Sequence, residues 1–292
     1  MTGDGIVIRR VETQAEYEEC VRLQDETWGA GFNERVPSTL LRISQYIGGV
    51  TAAAFRGPEA GAPMVGFVFG MTGVRHGELV HWSDMLAVRA EARDHGIGRR
   101  LKLYQRSLVK EIGVNQILWT YDPLVSRNAH LNLNILGARV IEYVSDMYGA
   151  DTGSALHEAI GTDRFVVAWD VGGEAGKRGS GDVRGGEEVS GQAGTLGRWD
   201  ASLEAAISSE VMPRPPHAPT SGLPRLPASP LESLIAIPGD IQEVIATAPE
   251  IAREWRESTR AAFLRHMGDG YRVTGFHRTG GSGYYRLTRA AD

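Results

Sequence analysis

The stretch from Leu86 to Lys102 constrains the fold of this chain more than any other. An apolar strand end, Leu86-Ala87-Val88, leads into Arg93-Asp94-His95-Gly96-Ile97-Gly98 and then into a basic helix start. Two glycines spaced two apart allow a tight turn with no Cβ in the way, so several successive N–H groups can point at one anion. The positive end of the following helix favours the same guest. Arg93, Arg99, Arg100 and Lys102 crowd the turn with cations, although the 292-residue chain carries a formal net charge of −5. Leu101, Tyr104, Leu108 and Ile112 recur at three- and four-residue spacing, which predicts one apolar stripe on the helix. Lys102, Arg106 and Lys110 then share the opposite face. The pattern reads as a pyrophosphate cradle, or else as a plain glycine turn before a surface helix. Two other nucleotide motifs are excluded. The dinucleotide fingerprint needs a third glycine where Leu101 stands, and the triphosphate loop needs a Gly-Lys-Ser/Thr ending that is missing.

The same segment resembles the GCN5-related N-acetyltransferase (GNAT) family. Its acyl-CoA signature, Arg/Gln-x-x-Gly-x-Gly/Ala after a strand ending apolar-x-Val, is matched by Leu86-x-Val88 and Arg93-x-x-Gly96-x-Gly98. A second family landmark is a strand followed by a helix carrying Asn-x-x-Ala and ending in Gly-Phe. It is matched in part by Ile117 to Tyr121 and by Ser126-Arg127-Asn128-Ala129 through Leu136-Gly137-Ala138. Ser126 stands where the family's Asn would fall, and Leu133 where many members keep the Tyr that protonates the leaving thiolate. More narrowly, the run Trp119 to Leu124 with Arg127-Asn128-Ala129 and a C-terminal extension resembles a bacterial subgroup of predicted acyltransferases. Some of that subgroup are associated with N-acylation of amino acids, including succinylation. The resemblance covers about residues 6 to 171.

The resemblance implies acetyl-CoA or another acyl-CoA as cosubstrate. It assigns cofactor binding to Leu86, Ala87, Val88, Arg93, Asp94, His95, Gly96, Ile97, Gly98, Arg99 and Asn128, with backbone groups of Met85 to Val88 holding the pantetheine and the oxyanion. Candidates for the base lie on the preceding strand: Glu78, His81, Ser83 and Asp84. Alternation puts Asp84 on the face of Leu86 and Val88, unless a bulge intervenes, and His81 on the other. Asp84 is the favoured catalytic residue, acting through water or orienting the amine, with His81 second. Each has a plain structural alternative: a carboxylate satisfied locally, and a histidine packed beside Trp82. Tyr121 and Arg127 are candidate substrate-binding residues, because a guanidinium pairs bidentately with a carboxylate such as an amino-acid acceptor or succinyl donor carries. Tyr104 and Tyr143 are considered as proton donors to sulfur, but no physical argument selects a general acid.

Composition narrows the remaining classes. Cys20 is the single cysteine, so neither an internal disulfide nor a thiolate metal cluster can form, and no metal-ligand spacing such as His-Glu-x-x-His occurs. The start, Met1-Thr2-Gly3-Asp4-Gly5, lacks a basic and an apolar signal region, and no apolar run nears the ~20 residues of a membrane span. A cytoplasmic protein without a membrane partner is expected. The acidic balance argues against nucleic acid as a partner. A homodimer is left open.

The order of elements predicts an α/β (α+β) chain: a mixed, mostly antiparallel GNAT-like sheet flanked by helices, with a small C-terminal α/β extension. Residues 1–171 form the transferase domain in this reading, 172–230 a Gly/Pro-rich and largely flexible linker, and 231–292 a small piece docking on the first domain or on a partner subunit. The order within that piece leaves open a repeat of half the fold or a generic α/β tail. The expected function is transfer of an acetyl or succinyl-type group from acyl-CoA to the amine of a small molecule, an amino acid or related metabolite, by direct attack in a ternary complex. The alternatives are a non-catalytic CoA-binding or interaction module, and acetylation of protein N-termini or lysines.

Overall fold

A computed structural model describes residues 5–149, 152–153, 160–172, 231–279 and 281–290. Apart from Gly172, the stretch read as a linker lies outside the described residues. The chain divides into two compact units, one of Met1–Trp119 with Thr152–Ser154 and Trp169–Gly176, the other of Thr120–Asp151 with Ala155–Ala168 and Lys177–Asp292. The fold is mixed α/β, and its larger sheet has the strand order β1-β2-β3-β4-β5-β7-β6, mostly antiparallel.

The first unit opens with β1 (Ile6–Arg10) and α1 (Gln14–Trp28). The Thr13 hydroxyl accepts from the Glu16 N–H while Glu16 reaches back to the cap backbone, a reciprocal arrangement that satisfies two helix-end donors. α2 (Ser38–Tyr46), β2 (Val50–Arg56), β3 (Met64–Arg75) and β4 (Glu78–Val88) follow. α3 (Ile97–Glu111) then crosses over to β5 (Gln116–Tyr121). That helical crossover is why β4 and β5 pair parallel while β1 to β4 pair antiparallel. Tyr17, Cys20 and Leu23 of α1 and Leu41 of α2 pack on Phe67, Phe69, Met85 and Ala87 of the sheet in one buried cluster.

α3 departs from the expected stripe. Its buried residues are Ile97, Leu101, Lys102, Gln105 and Val109, whereas Ile112 is exposed and Lys102 is only 3% exposed. The helix buries the face that runs from Leu101 to Val109 rather than to Leu108 and Ile112. Two polar side chains on that face find partners on β4, which offsets their desolvation.

In the second unit α4 (Ser126–Ala129) widens into a π turn over His130–Ile135, which buries Leu133. β6 (Arg139–Val144) and β7 (Arg164–Asp170) pair antiparallel. The C-terminal piece supplies β8 (Glu232–Pro238), α5 (Ile241–Thr247), α6 (Pro249–Gly268), β9 (Arg272–Thr279) and β10 (Ser282–Thr288), with sheet order β8-β10-β9. In both β5-β7-β6 and β8-β10-β9 the last strand lies between the other two. Phe165 of β7, Phe263 of α6 and Tyr285 of β10 meet edge to face, with ring centroids 4.7 to 5.4 Å apart. The small C-terminal sheet thus shares its apolar core with β7. Arg256 of α6 donates to Asp122 at 2.6 Å and to the Ile160 carbonyl at 2.8 Å, and Arg260 donates to Asp146 and Asp163.

Candidate active site

The signature turn ends β4 and starts α3. Gly96 sits at φ +70° as the residue before the helix, a left-handed conformation that glycine adopts without cost. Asp94 is also left-handed, at φ +65°. Arg93 Nε donates to the Val88 carbonyl at 3.1 Å, and His95 Nδ1 lies 2.7 Å from the Arg93 carbonyl, so both side chains fold back on the turn. Among the described residues no side chain caps α3. The amide hydrogens of Ile97, Gly98 and Arg99 find no acceptor among the described residues. A Cβ at Gly96 would meet nothing within 4 Å, and one at Gly98 would make only ordinary contacts, 3.7 Å to Leu86 and 3.9 Å to Val88. Three open donors, an open surface and the positive end of a fifteen-residue helix suit the diphosphate of a coenzyme.

β4 offers an edge beside this cradle. Its parallel pairing with β5 runs from Val80–Gln116 to Trp82–Leu118 and stops, while β4 continues to Val88. Among the described residues, β4 from Ser83 onward is paired along β3 only. A bulge lies at the point of divergence: Gly70 pairs with Ser83 and Phe69 with Met85, leaving Asp84 as the extra residue.

The bulge overturns the expected alternation. His81 and Ser83 face α3 through Gln105 and Lys102, and Leu86 and Val88 lie beside Gly98 on the same side. Met85 and Ala87 face α1 and α2. His81 therefore shares a face with Leu86 and Val88. Asp84 sits on the bulge itself, exposed, with Oδ1 accepting from Trp82 Nε1 at 3.2 Å. Although the residue is exposed, partial desolvation of its carboxyl raises the pKa, the Trp82 hydrogen bond opposes the rise, and Glu34 adds to it.

His81 is fully buried. Nε2 accepts from Gln105 at 3.0 Å and Nδ1 donates to Thr72 at 2.9 Å, whose hydroxyl in turn donates to the Gly48 carbonyl. That chain is satisfied by a neutral ring. Burial, and then the charge of Lys102, lower its pKa to about 3. With both nitrogens engaged and no exposed edge, His81 braces β4 against α3.

Lys102, expected among the cations at the turn and on the face opposite the apolar stripe, is instead buried. Its Nζ donates to Ser83 Oγ at 2.7 Å and lies 4.1 Å from the Trp119 ring centroid. Burial alone lowers its pKa to about 7. The signal available in the sequence was the Ile97, Leu101, Gln105, Val109 spacing, which brings Lys102 onto the buried side.

In the second unit Asn128 is half-buried in the first turn of α4, and Arg127 is exposed. Tyr121 is 4% exposed, its hydroxyl accepting from Tyr285 at 3.4 Å and its ring 5.8 Å from Phe165. Its side chain is engaged in the aromatic core. Tyr143 donates to Asp163, and burial pushes its pKa well up. Among the described residues no cluster of three His, Cys, Asp or Glu side chains could hold a metal ion, and no helix is long and apolar enough to cross a membrane.

No protein-family model matches the chain, and no curated protein matches it. Solved structures do. Those it is similar to include acetyltransferases described as GNAT-family members. An acetyltransferase of the GNAT family from Streptococcus pneumoniae is 15% identical, with TM-score 0.44, covering 57% of this chain and 99% of that one. The NatC complex bound to Gag peptide and CoA gives 17% identity, TM-score 0.44 and the same coverage. The ribosomal-protein-S18-alanine N-acetyltransferase from Escherichia coli gives 15% identity and TM-score 0.42, covering 57% of this chain and 94% of that one.

Proposed function

We propose that this chain is an acyl-CoA-dependent N-acyltransferase that moves an acetyl or succinyl-type group to the amine of a small molecule such as an amino acid. One observation carries the reading: the uncommitted amides of Ile97, Gly98 and Arg99 stand next to a strand edge left unpaired from Ser83 onward. The first holds a diphosphate, and the second presents backbone groups of Met85 to Val88 along the pantetheine arm. Coenzyme A supplies the activated thioester. Asp84 sits at the bulge with a raised pKa, which suits a carboxylate that accepts the acceptor's proton through water. Backbone N–H groups of the bulged strand polarise the acyl carbonyl without any particular side chain. Arg127 and Asn128 stand as candidates by resemblance alone, the first for a carboxylate of acceptor or donor and the second for the pantetheine amide.

Gly98→Asp tests the cradle. At the second position of a helix a carboxylate stabilises by about 0.3–1 kcal/mol through the dipole, so the fold persists while the cradle carries the wrong charge for a diphosphate. The variant should keep or raise its melting temperature and lose CoA binding by calorimetry at least about tenfold. Binding equal to that of the parent would remove the cradle assignment. Thiol release from acetyl-CoA and succinyl-CoA with a panel of amino acids and of peptides then reads the acceptor class; turnover of peptides alone would replace the small-molecule reading by protein acylation.

A further inference from the structure

Buried cations are ordinarily paired, because an unneutralised charge in a low-dielectric interior is costly. Lys102 breaks that rule. It is 3% exposed, and its Nζ is held by a serine hydroxyl and an indole face, with no carboxylate bonded to it among the described residues. The groups around it are uncharged or turned away: neutral His81 and Ser83 on β4, Gln105 on its own helix, Trp119 on β5, and Thr72 of β3 behind His81. The nearest carboxylate along β4, Asp84, is bonded to Trp82. When Lys102 carries its proton, that charge has no counter-ion bonded to it among the described residues.

The place where an anion would come is set by the strand. Ser83, which holds Lys102, is the residue just before the bulge, at the point where β4 and β5 stop pairing. From Val88, beside the cradle, back to Asp84 is four residues of strand, roughly 13 Å. The arm that joins diphosphate to sulfur in coenzyme A has about as many chain atoms as four residues of peptide, so it spans roughly the same distance. A diphosphate on Ile97 to Arg99 thus places the sulfur near Ser83.

We propose that Lys102, anchored by Ser83 and Trp119 beneath the bulge, is the internal cation that stabilises negative charge on the sulfur leaving the acyl group. The inference rests on the acyl-CoA reading above. As the acceptor nitrogen bonds to the carbonyl carbon, the carbon–sulfur bond breaks and its electron pair stays on sulfur. The proton lost by nitrogen passes through water to Asp84. Lys102 keeps its own proton and acts through charge, in a chain where Leu133 occupies the position at which the resembling family often has a tyrosine. Its titration near neutrality, caused by burial alone, fits a group whose protonation is completed by an arriving anion.

The test uses the full chain and free coenzyme A, with thiolate absorbance in the far ultraviolet as the readout. A free thiol titrates near ~8.5. The parent should bind CoA with its thiol titrating at least about one unit lower than it does bound to Lys102→Met, a tenfold change in the thiolate-to-thiol ratio. Desulfo-CoA should lose no more than about threefold in affinity between the two proteins, since it carries no sulfur. Lys102→Gln, which keeps a donor for Ser83 but no charge, serves as the second variant if the Met variant does not fold. An unchanged thiol titration overturns the role of Lys102 and leaves the acyl-CoA reading standing. Failure of the parent to bind CoA overturns both.

Discussion

Replacing Asp122 by asparagine should unfold the C-terminal half of the chain at markedly lower denaturant. The carboxylate is nearly sealed from water: Asp122 and Arg256 expose 7% and 4% of their side chains, and Arg164, 3.7 Å from the same oxygen, exposes 8%. Oδ2 takes the Arg256 bond at 2.6 Å and Oδ1 the Leu124 N–H at 2.8 Å. Asparagine keeps an acceptor for Leu124 but leaves two guanidinium groups facing a neutral amide. Breaking a buried pair by removing one partner costs about 3–5 kcal/mol, and the retained Leu124 bond puts the expected loss near ~3 kcal/mol. Urea unfolding followed by far-ultraviolet dichroism and tryptophan fluorescence measures it, and buried Trp255 beside Arg256 reports locally. In a cycle with Arg256→Met the double variant should lose less than the sum, with a coupling of about 1.5–3 kcal/mol. A loss for Asp122→Asn below about 1 kcal/mol would mean that this buried cluster contributes no more than an exposed pair.

Three further outcomes follow from the same contacts. The folded-state pKa of Lys102, about 7 against 10.5 unfolded, means the unfolded chain binds more protons between those values. The parent should therefore gain stability relative to Lys102→Met as pH rises from about 7 to 10.5, and a flat difference across that range in thermal melts would contradict it. Glu16, held at about 2 against 4.5 by Arg9 and by the backbone of Glu12 and Thr13, works with the opposite sign. The deficit of Glu16→Gln should be full above pH 4.5 and vanish toward pH 2. Gly49→Ala would drive a Cβ to 2.6 Å from the Gly70 carbonyl and 2.8 Å from the Ser44 carbonyl. Both are backbone atoms, so a loss of about 1–3 kcal/mol is expected in urea unfolding, and parent-like stability would show that α2 and β3 can move apart.

How much of this was legible in the sequence depended on how local the cause was. The strand that leads into the signature turn and the helix start after Gly96 each follow from a few neighbouring residues, and each appears where the pattern predicts. The faces of β4 were not legible beyond Asp84. A single extra residue in the pairing with Phe69 and Gly70 reverses the alternation, and nothing in the residue types marks it. Lys102 was misplaced for a related reason: its burial depends on Ser83 and Trp119, distant in sequence, which together make an amine tolerable on the inner face of α3. The position of Tyr121 was likewise decided from afar, by Tyr285 and Phe165.

Amide chemical shifts of the isotopically labelled chain, followed during titration with coenzyme A, show whether the amides opening α3 receive a diphosphate. Saturable downfield movement of the Ile97, Gly98 and Arg99 amide protons is expected at one equivalent, and none in Gly98→Asp at the two positions it shares. Saturable binding that leaves those three amides unmoved would contradict a diphosphate held there.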